Sequence, residues 1–221
     1  MGMVAPPLRP FSYAPPLGLP RILHHDAHIL AVDKPSGLLS VPGKHHPDSA
    51  LARIKAEFPD AHLVHRLDMA TSGVMVFPLT SEARRHIARQ FQRRQLTKTY
   101  HARVWGELTG SGTVDLPLRC DWPNRPRQMV DHDQGRAATT HWESLAVENG
   151  TTRVKLTPVT GRSHQLRVHM LSLGHPILGD RIYAHEEAFR AADRLQLHAS
   201  ELTLRHPDNG VHVTLRAPIP F

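Results

Sequence analysis

Apolar residues alternate with polar ones along much of this chain, and that spacing predicts more strands than helices. Residues 21–23 and 28–32 predict two strands joined by a polar turn, and residues 99–105 predict a half-buried strand. Two predicted hairpins follow, one pairing residues 139–147 with 152–159 and one pairing 195–204 with 211–215. Strands joined in this way favour a largely antiparallel sheet.

Three segments have the spacing of helices. Residues 49–58 predict a helix with Asp48 or Ser49 as N-cap and with Leu51, Ile54 and Phe58 on its buried face. Residues 81–95 repeat apolar side chains at helical intervals, and residues 163–173 predict a helix that ends at Gly174. The fold class is therefore α/β, more closely α+β: a largely antiparallel mixed central sheet with flanking helices.

Two segments lack such periodicity. Residues 106–136 contain several prolines and few apolar runs, so we predict an irregular excursion, whose arginines, available to RNA, are Arg119, Arg125 and Arg127. Residues 1–20 hold six of the chain's 19 prolines, which predicts an extended or disordered arm. The remaining residues, 21–221, are few enough to form one domain, with no separate N-terminal RNA-binding module.

The chain carries 27 Lys and Arg against 20 Asp and Glu, a net charge of +7, and its pI is near 10.2. Such a balance is typical of domains that bind polyanions. The arginines of the 81–95 helix are concentrated on its polar face; we assign RNA binding to Arg84, Arg85 and Arg89. A solvated outer face is the alternative interpretation of the same pattern.

The sequence gives no indication of a disulfide, a metal site or a membrane segment. The single cysteine, Cys120, excludes an internal disulfide and a thiolate pair for zinc. The candidate metal ligands among the 18 histidines are His24 with His25, His45 with His46, and His164 with His169. None of these pairs has the i, i+4 spacing of a zinc helix, so we predict no metal site. The chain has neither a signal-peptide pattern nor an apolar run long enough for a bilayer, so we expect a cytoplasmic protein.

One polar segment lies just before the apolar run of residues 74–77. It is residues 65–73, His-Arg-Leu-Asp-Met-Ala-Thr-Ser-Gly, hereafter the aspartate loop. Arg66 stands two residues before Asp68, and a cation that close keeps a half-buried aspartate ionised, as a nucleophile requires. We expect two strands to flank the loop and residues 71–73 to form its turn.

The aspartate loop resembles the signature of the RluA family of pseudouridine synthases. Further motifs of that family follow in the family's order, from about residue 20 to the C-terminus. They are Lys-Pro-Ser-Gly-Leu at 34–38, Lys-Thr-Tyr at 98–100, the stretch 160–170, Gly-His-Pro-Ile-Leu-Gly-Asp at 174–180 and Leu-His-Ala at 197–199. The residues Cys-Asp-Trp-Pro-Asn-Arg-Pro at 120–126 and the Met69-Ala70 pair resemble its compact dual-specificity branch, which modifies tRNA and 23S rRNA.

The resemblance implies the pseudouridine synthase fold and an isomerase that needs no cofactor. The reaction breaks the N1–C1′ bond of uridine, turns the uracil and joins C5 to C1′. A single carboxylate suffices because the departing base is the next nucleophile, whereas a glycoside hydrolase needs a second carboxyl group to activate water. The partners implied are stem-loops of tRNA and 23S rRNA, with no DNA or membrane, and we expect a monomer.

The resemblance also implies individual roles. Asp68 either attacks C1′ or removes the C2′ proton, and Tyr100 stacks on the uracil and helps to remove the C5 proton. Arg167 pairs with the catalytic aspartate, and Leu197 lines the uracil pocket. Arg66 enters the RNA where the target base is flipped out. The family stretch 160–170 adds two further residues to which we assign RNA contact, Arg162 and His164.

Three alternatives stay open at this point. A synthase of the same family with a single rRNA or tRNA substrate would share every motif. A catalytically silent RNA-binding protein would use the same basic surface but would tolerate the loss of Asp68. A nucleoside hydrolase or N-glycosylase would release free uracil, which an isomerase does not.

Overall fold

The computed structural model describes residues 6–221, which form two compact units. One unit, the aspartate-loop unit, contains Ser12–Thr99 and His198–Phe221. The other, the arginine unit, contains Tyr100–Leu197 and the described N-terminal residues up to Phe11. Strands β4 (Thr97–Trp105) and β10 (Leu197–Arg205) each have residues in both units, because the chain passes from one unit to the other within them.

The aspartate-loop unit is built on a mixed sheet. Antiparallel pairings join β1 to β2, β2 to β3, and β10 to β11, whereas β3 and β10 run parallel. Strand β3 is buried along its whole length, and its first two residues are the last two of the aspartate loop. The remaining bounds are β1 (Arg21–His25), β2 (Ile29–Lys34), β3 (Ser72–Pro78) and β11 (His212–Arg216). The predicted pairs 21–32 and 195–215 are confirmed.

Two helices accompany this sheet. Helix α1 (Ala50–Glu57) has Ser49 as N-cap, whose side chain accepts from Ala52 N, and buries Ile54 as predicted. Leu51 and Phe58 are only half-buried. Helix α2 (Ser81–Arg93) is the predicted basic helix. It buries Ala83 and Ile87 in the core, where Ile87 packs with β-strand residues such as Val74 and Leu204.

The arginine unit has its own antiparallel strands. Strand β9 pairs with β4 and β8, and β5 pairs with β8. The bounds are β5 (Ser111–Asp115), β8 (Thr139–Glu148) and β9 (Thr151–Pro158). The predicted 148–150 turn is confirmed, and Asn149 and Gly150 both have positive φ, as a type I′ hairpin turn requires.

The prediction of an irregular excursion at residues 106–136 is wrong. Besides β5, the segment forms a two-stranded ribbon of β6 (Leu118–Cys120) and β7 (Gln128–Val130), with a 3₁₀ turn at Trp122–Asn124 between them. Strands of three residues are too short to show alternation in the sequence, and Pro117 and Gly112 interrupt the pattern. We call residues 118–130 the ribbon.

Helix α3 (Gln165–Ser172) lies within the predicted 163–173 segment. The amide of Gly174 donates to Leu171 O and that of His175 to Met170 O, the paired contacts of a Schellman motif, and Gly174 has a φ of +86°. A short helix α4 (Glu186–Arg190) follows. None of the helices within residues 6–221 has the length and apolarity that crossing a bilayer requires.

Residues 6–20 form no helix or strand, but side chains tie them to the folded chain. Arg9 donates to the carbonyls of Arg181 and Ala184, and Arg53 donates to those of Pro16 and Gly18. The predicted extended or disordered arm stays a prediction. The first five residues of the predicted arm lie outside the described part of the chain.

Candidate active site

A buried lysine holds the aspartate loop in place. Lys34, at the end of β2, has no solvent exposure, and its Nζ donates to the carbonyls of Pro35, Leu38 and Met69 at 2.8, 2.7 and 3.1 Å. A buried ammonium needs all three of its donors satisfied. Because Met69 follows Asp68 directly, this contact fixes the backbone beside the carboxylate.

The rest of the 34–40 segment adds contacts to the same loop. Gly37 N donates to Met69 O, and Ser36 Oγ donates to Ala70 O. Ser40 Oγ both donates to Leu67 O, at 2.6 Å, and accepts from Leu67 N. Residues 34–38 form one of the family's motifs, and their role here is to hold the main chain of the aspartate loop.

The loop's own conformation differs from the prediction in two ways. The turn is at Met69 and Ala70, closed by the amide of Thr71 donating to Asp68 O. Ser72 and Gly73 already belong to β3, and no strand precedes the loop at Leu63 and Val64. The polar loop therefore enters from irregular chain and leaves into one fully buried strand.

The exit into β3 is fixed by a close approach to β10. Gly73 has a φ of +117°, and a Cβ placed there would lie 2.2 Å from the carbonyl oxygen of Ala199, so no other residue fits. Next to it, Ser72 Oγ and His198 Nδ1 are 2.8 Å apart. Since His198 Nε2 faces the carbonyl of Ala217, it carries the proton, and Nδ1 accepts from the serine hydroxyl.

The structure corrects the predicted contact between Arg66 and Asp68. Arg66 is exposed, and its guanidinium makes no hydrogen bond or ion pair within residues 6–221. Asp68 is half-buried. The two side chains are neighbours in sequence, but residue 66 projects into solvent, which leaves it free for the base-flipping role that the resemblance implies.

His65 anchors the start of the loop. Its ring stacks on Phe91 of α2 at a centroid distance of 4.8 Å, and its Nε2 accepts from Val76 N at 3.0 Å. Burial, together with the positive charge of Lys98, lowers the pKa of His65 to about 4. Burial also lowers the pKa of Lys98 to about 8, with a smaller effect from Arg94. His65 is therefore a neutral acceptor at physiological pH.

In the arginine unit, Arg167 is held by a residue that the sequence analysis missed. Its Nε and NH2 donate to the two carboxylate oxygens of Asp180, each at 2.7 Å, and both side chains are buried. Arg167 holds the pKa of Asp180 below its usual value against the opposing effect of burial. Asp180 is the last residue of the 174–180 motif; the predicted pairing of Arg167 with Asp68 stays a prediction.

Tyr183 connects this ion pair to the ribbon. The guanidinium of Arg167 lies 5.1 Å from the centroid of the Tyr183 ring, and the backbone amide of Tyr183 donates to Asp180 Oδ1. The hydroxyl of Tyr183 accepts from Gln128 N and lies 2.7 Å from His164 Nδ1. His164, a predicted RNA contact, has a left-handed backbone at φ +53°. These four residues, His164, Arg167, Asp180 and Tyr183, are the Arg167 cluster.

The other predicted residues lie on both units. Tyr100 is half-buried on β4 opposite Leu156, and Leu197 is buried at the start of β10. Arg162 is half-buried, and its Nε donates to Ala137 O. Asp68 and Arg66 belong to the aspartate-loop unit, whereas Tyr100, Arg167 and Leu197 belong to the arginine unit.

The arginines predicted to bind RNA differ in their exposure to solvent. Arg84, Arg85 and Arg89 are all exposed on α2, and Arg85 pairs with Glu82 at 2.8 Å. In the ribbon, Arg127 is buried and donates to Ile182 O, so it is not available to RNA as predicted. The ribbon's other two arginines differ as well, since Arg119 pairs with Asp131, and Arg125 alone is exposed.

The histidines single out no metal centre. In the part of the chain that the structure describes, no three His, Cys, Asp or Glu side chains come together in a way that could hold a metal ion. His169, one of the candidates, is buried between Thr140 Oγ1 and the carbonyl of Leu116.

Comparisons with known proteins show which family the chain resembles. Residues 28–172 match the family described as RNA pseudouridylate synthase. The chain is 57% identical to the dual-specificity RNA pseudouridine synthase RluA of Escherichia coli K12 over 90% of this chain and 93% of that protein. It is 51% identical to the protein of the same name from Haemophilus influenzae, over 98% of this chain and 97% of that one.

A solved structure supports the fold independently. The human RNA pseudouridylate synthase domain containing 1 superposes with a TM-score of 0.76 at 27% identity, covering 97% of this chain and 87% of that one. The predicted fold and the predicted isomerase activity are both confirmed. With a family match over more than half of its length and relatives more than half identical to it, the chain belongs to the RNA pseudouridylate synthase family.

Proposed function

We propose that this enzyme converts uridine to pseudouridine in two kinds of RNA, a tRNA anticodon stem-loop and a stem-loop of 23S rRNA. The observation that carries the proposal is the identity of 57% and 51% to relatives named as dual-specificity synthases, over at least nine-tenths of both chains in each comparison. An isomerisation of this kind needs no external reagent, because the atoms of product and substrate are the same.

Asp68 supplies the reactive carboxylate in this proposal. Its support is the way in which the aspartate loop is fixed, through the main chain of Leu67, Met69 and Ala70. A backbone held by that many donors presents one side chain at a defined place, which is what a nucleophile or a base needs. In the same proposal, Arg167 orients the catalytic carboxylate and keeps it ionised. Tyr100 stacks on the uracil, and Leu197 lines the pocket around it.

Arg66 replaces the flipped uridine in the RNA stack. Extruding a base costs a few kcal/mol, and a side chain that fills the vacancy offsets part of that cost. The exposure of Arg66 and its lack of a partner within the described residues support this role, because no ion pair has to be broken first.

Two synthetic hairpins test the proposal directly. Each carries tritium at C5 of its loop uridine, one with a tRNA anticodon loop and one with the 23S rRNA loop. Release of label from both is the expected result. Release from one alone rejects dual specificity and keeps the synthase, and release of free uracil in place of pseudouridine rejects the isomerase altogether.

The exposed arginines of α2 contact phosphates in this proposal. Replacing Arg84, Arg85 and Arg89 by Gln should weaken binding to all RNAs alike and reduce the slope of log affinity against log salt by roughly two to three, since each phosphate contact releases about one counterion. Arg216, exposed on β11, is the matched control. An unchanged slope in the triple variant would assign this helix face to solvent.

We further propose that the enzyme is a monomer and acts in the cytoplasm. A single domain that grips a hairpin needs no second copy for its site. Sedimentation of the protein with and without hairpin RNA measures the first point, and imaging of a tagged chain measures the second.

A further inference from the structure

The tip of the ribbon carries an exposed tryptophan. Trp122 is the first residue of the 3₁₀ turn and remains 64% exposed, the most exposed of the aromatic side chains on this unit's described residues. Single exposed apolar residues are common and need no explanation by themselves. Trp122 differs because of what holds it and what lies beside it.

Its backbone is fixed at both ends of the turn. Asp121 N donates to Arg127 O and Arg127 N donates to Asn124 O, while the side-chain amide of Asn124 donates to Asp121 Oδ2. The buried Arg127 then donates to Ile182 O. An aromatic ring on so constrained a turn loses little conformational entropy on binding, so stacking on it is favourable.

The same turn is joined to the Arg167 cluster. Gln128 N donates to the hydroxyl of Tyr183, whose ring lies beside the Arg167 guanidinium and whose hydroxyl meets His164. The tip is therefore part of the framework that positions a predicted catalytic arginine and a predicted RNA contact. A surface used in substrate binding has reason to be built in this way, whereas an incidental loop has none.

Arg125 gives the tip its chemical character. Its guanidinium lies 4.5 Å from the centroid of the Trp122 ring, within range of a cation–π contact, and the side chain is exposed. Asp121 places a carboxylate within the same turn, so the local charge is close to balanced. A balanced charge does not attract phosphate strongly, and this favours a flat, weakly charged partner over the RNA backbone.

We propose that Trp122, flanked by Arg125, is a stacking platform for an unpaired base in the loop of the RNA substrate. The inference rests on the proposed action on RNA hairpins and names a contact outside the residues assigned above. Every nucleobase has a face that can stack on indole, so the platform grips loops of different sequence and suits an enzyme with two RNA substrates.

The experiment compares Trp122→Ala with Trp122→Phe in the full-length protein. Affinity is measured for a hairpin with an unpaired loop and for a fully paired duplex of the same stem. We expect the alanine variant to bind the hairpin about tenfold or more weakly, the loss typical of one base stack, and the phenylalanine variant to stay within about threefold. Neither should change duplex binding. Leu145→Ala, an exposed apolar residue on β8, is the control and should match the wild type.

Salt dependence separates stacking from charge. Trp122→Ala should leave the slope of log affinity against log salt unchanged, whereas Arg125→Gln should reduce it by at most about one. Indole fluorescence adds a direct signal: hairpin binding should quench the wild type, with its three tryptophans, more than Trp122→Phe.

Three results would overturn the platform: hairpin affinity of Trp122→Ala equal to wild type, equal losses on hairpin and duplex, or equal quenching in Trp122→Phe. The last would indicate that this ring meets something other than RNA, such as a protein. Pseudouridine formation by the wild type on the same hairpin is measured in parallel. If the wild type forms it and Trp122→Ala binds normally, the inference fails and the proposed function stands.

Discussion

The aspartate loop is held mainly through its main-chain atoms, whereas Arg167 is held through its side chain. Contacts to the loop run mainly to its main-chain atoms, from Lys34, Ser36 and Ser40. Arg167 is instead held through its own side chain, by a buried carboxylate. A position fixed through its backbone can change its side chain at little structural cost, whereas a buried ion pair cannot lose one partner without exposing the other's charge to an apolar surrounding.

The largest effect expected from this difference is on catalysis alone. Asp68→Asn keeps the size of the side chain and the loop's main-chain contacts, so it should abolish pseudouridine formation while RNA affinity stays within about threefold. Single-turnover assays and a binding titration measure the two quantities on one preparation. Turnover near the wild-type rate, in a preparation free of contaminating synthase, would remove Asp68 from the mechanism.

Breaking the buried Arg167–Asp180 ion pair should instead lower the stability of the protein. Arg167→Met leaves the Asp180 carboxylate buried without its cation, and we expect the free energy of unfolding to drop by about 3–5 kcal/mol. Adding Asp180→Asn to it removes the stranded charge and keeps an oxygen for the amides of Ile182 and Tyr183. The double variant should therefore be less destabilised than the sum of the singles in urea titrations. Strictly additive losses would mean that the pair is not coupled.

Removing the Lys34 ammonium tests how strongly main-chain contacts hold the aspartate loop. Lys34→Met deprives three carbonyls of their hydrogen-bond donor, which should cost about 1–3 kcal/mol of stability and lower kcat as the backbone around Asp68 loosens. Lys44→Met, at an exposed lysine in the same segment, should change neither. Equal kcat values for the two variants would show that the loop keeps its conformation without Lys34.

At neutral pH the smallest expected effect is that of His65, because the contribution of this group to stability changes only as pH falls below about 6.5. The pKa of His65 is about 4 in the folded protein against an ordinary 6.5, so the unfolded chain takes up the proton first as pH falls. Stability should therefore decrease between about pH 6.5 and pH 4 and should not depend on this group above that range. His65→Gln, which keeps an acceptor for Val76 N, should flatten this part of the stability curve in urea titrations at each pH. A curve as steep as that of the wild type would assign the dependence to other groups.

Features with a regular period were predictable from the sequence. The basic helix α2 is predicted by its apolar spacing, and the hairpins around Asn149 and Asn209 are predicted by their turn residues. Both signals are local. The same reasoning failed at β6 and β7, because three-residue strands leave no repeat to detect. The family resemblance gave Asp68 directly, but its role stays a prediction, as do those of Tyr100, Arg167 and Leu197.

Long-range contacts made by charged residues were not predictable. Lys34 is fully buried, which is rare for lysine, and nothing in residues 29–34 distinguishes it from a solvated strand end. Asp180 lies 13 residues beyond Arg167, past the end of the helix, where no helical or strand period connects them. The Arg66 side chain shows the converse: a neighbour in sequence is not necessarily a partner in space.

The parallel pairing of β3 with β10 has a consequence for how the protein is made. Ser72 and Gly73 pair with His198 and Ala199, and the hydrogen bond between Ser72 and His198 spans 126 residues. During synthesis, the strand that leaves the aspartate loop gains this neighbour only after another 126 residues have been translated, roughly 6–25 s later at about 5–20 residues per second. A nascent or prematurely terminated chain that ends before residue 198 therefore lacks the support at Gly73, so the loop reaches its final form only after β10 has been made.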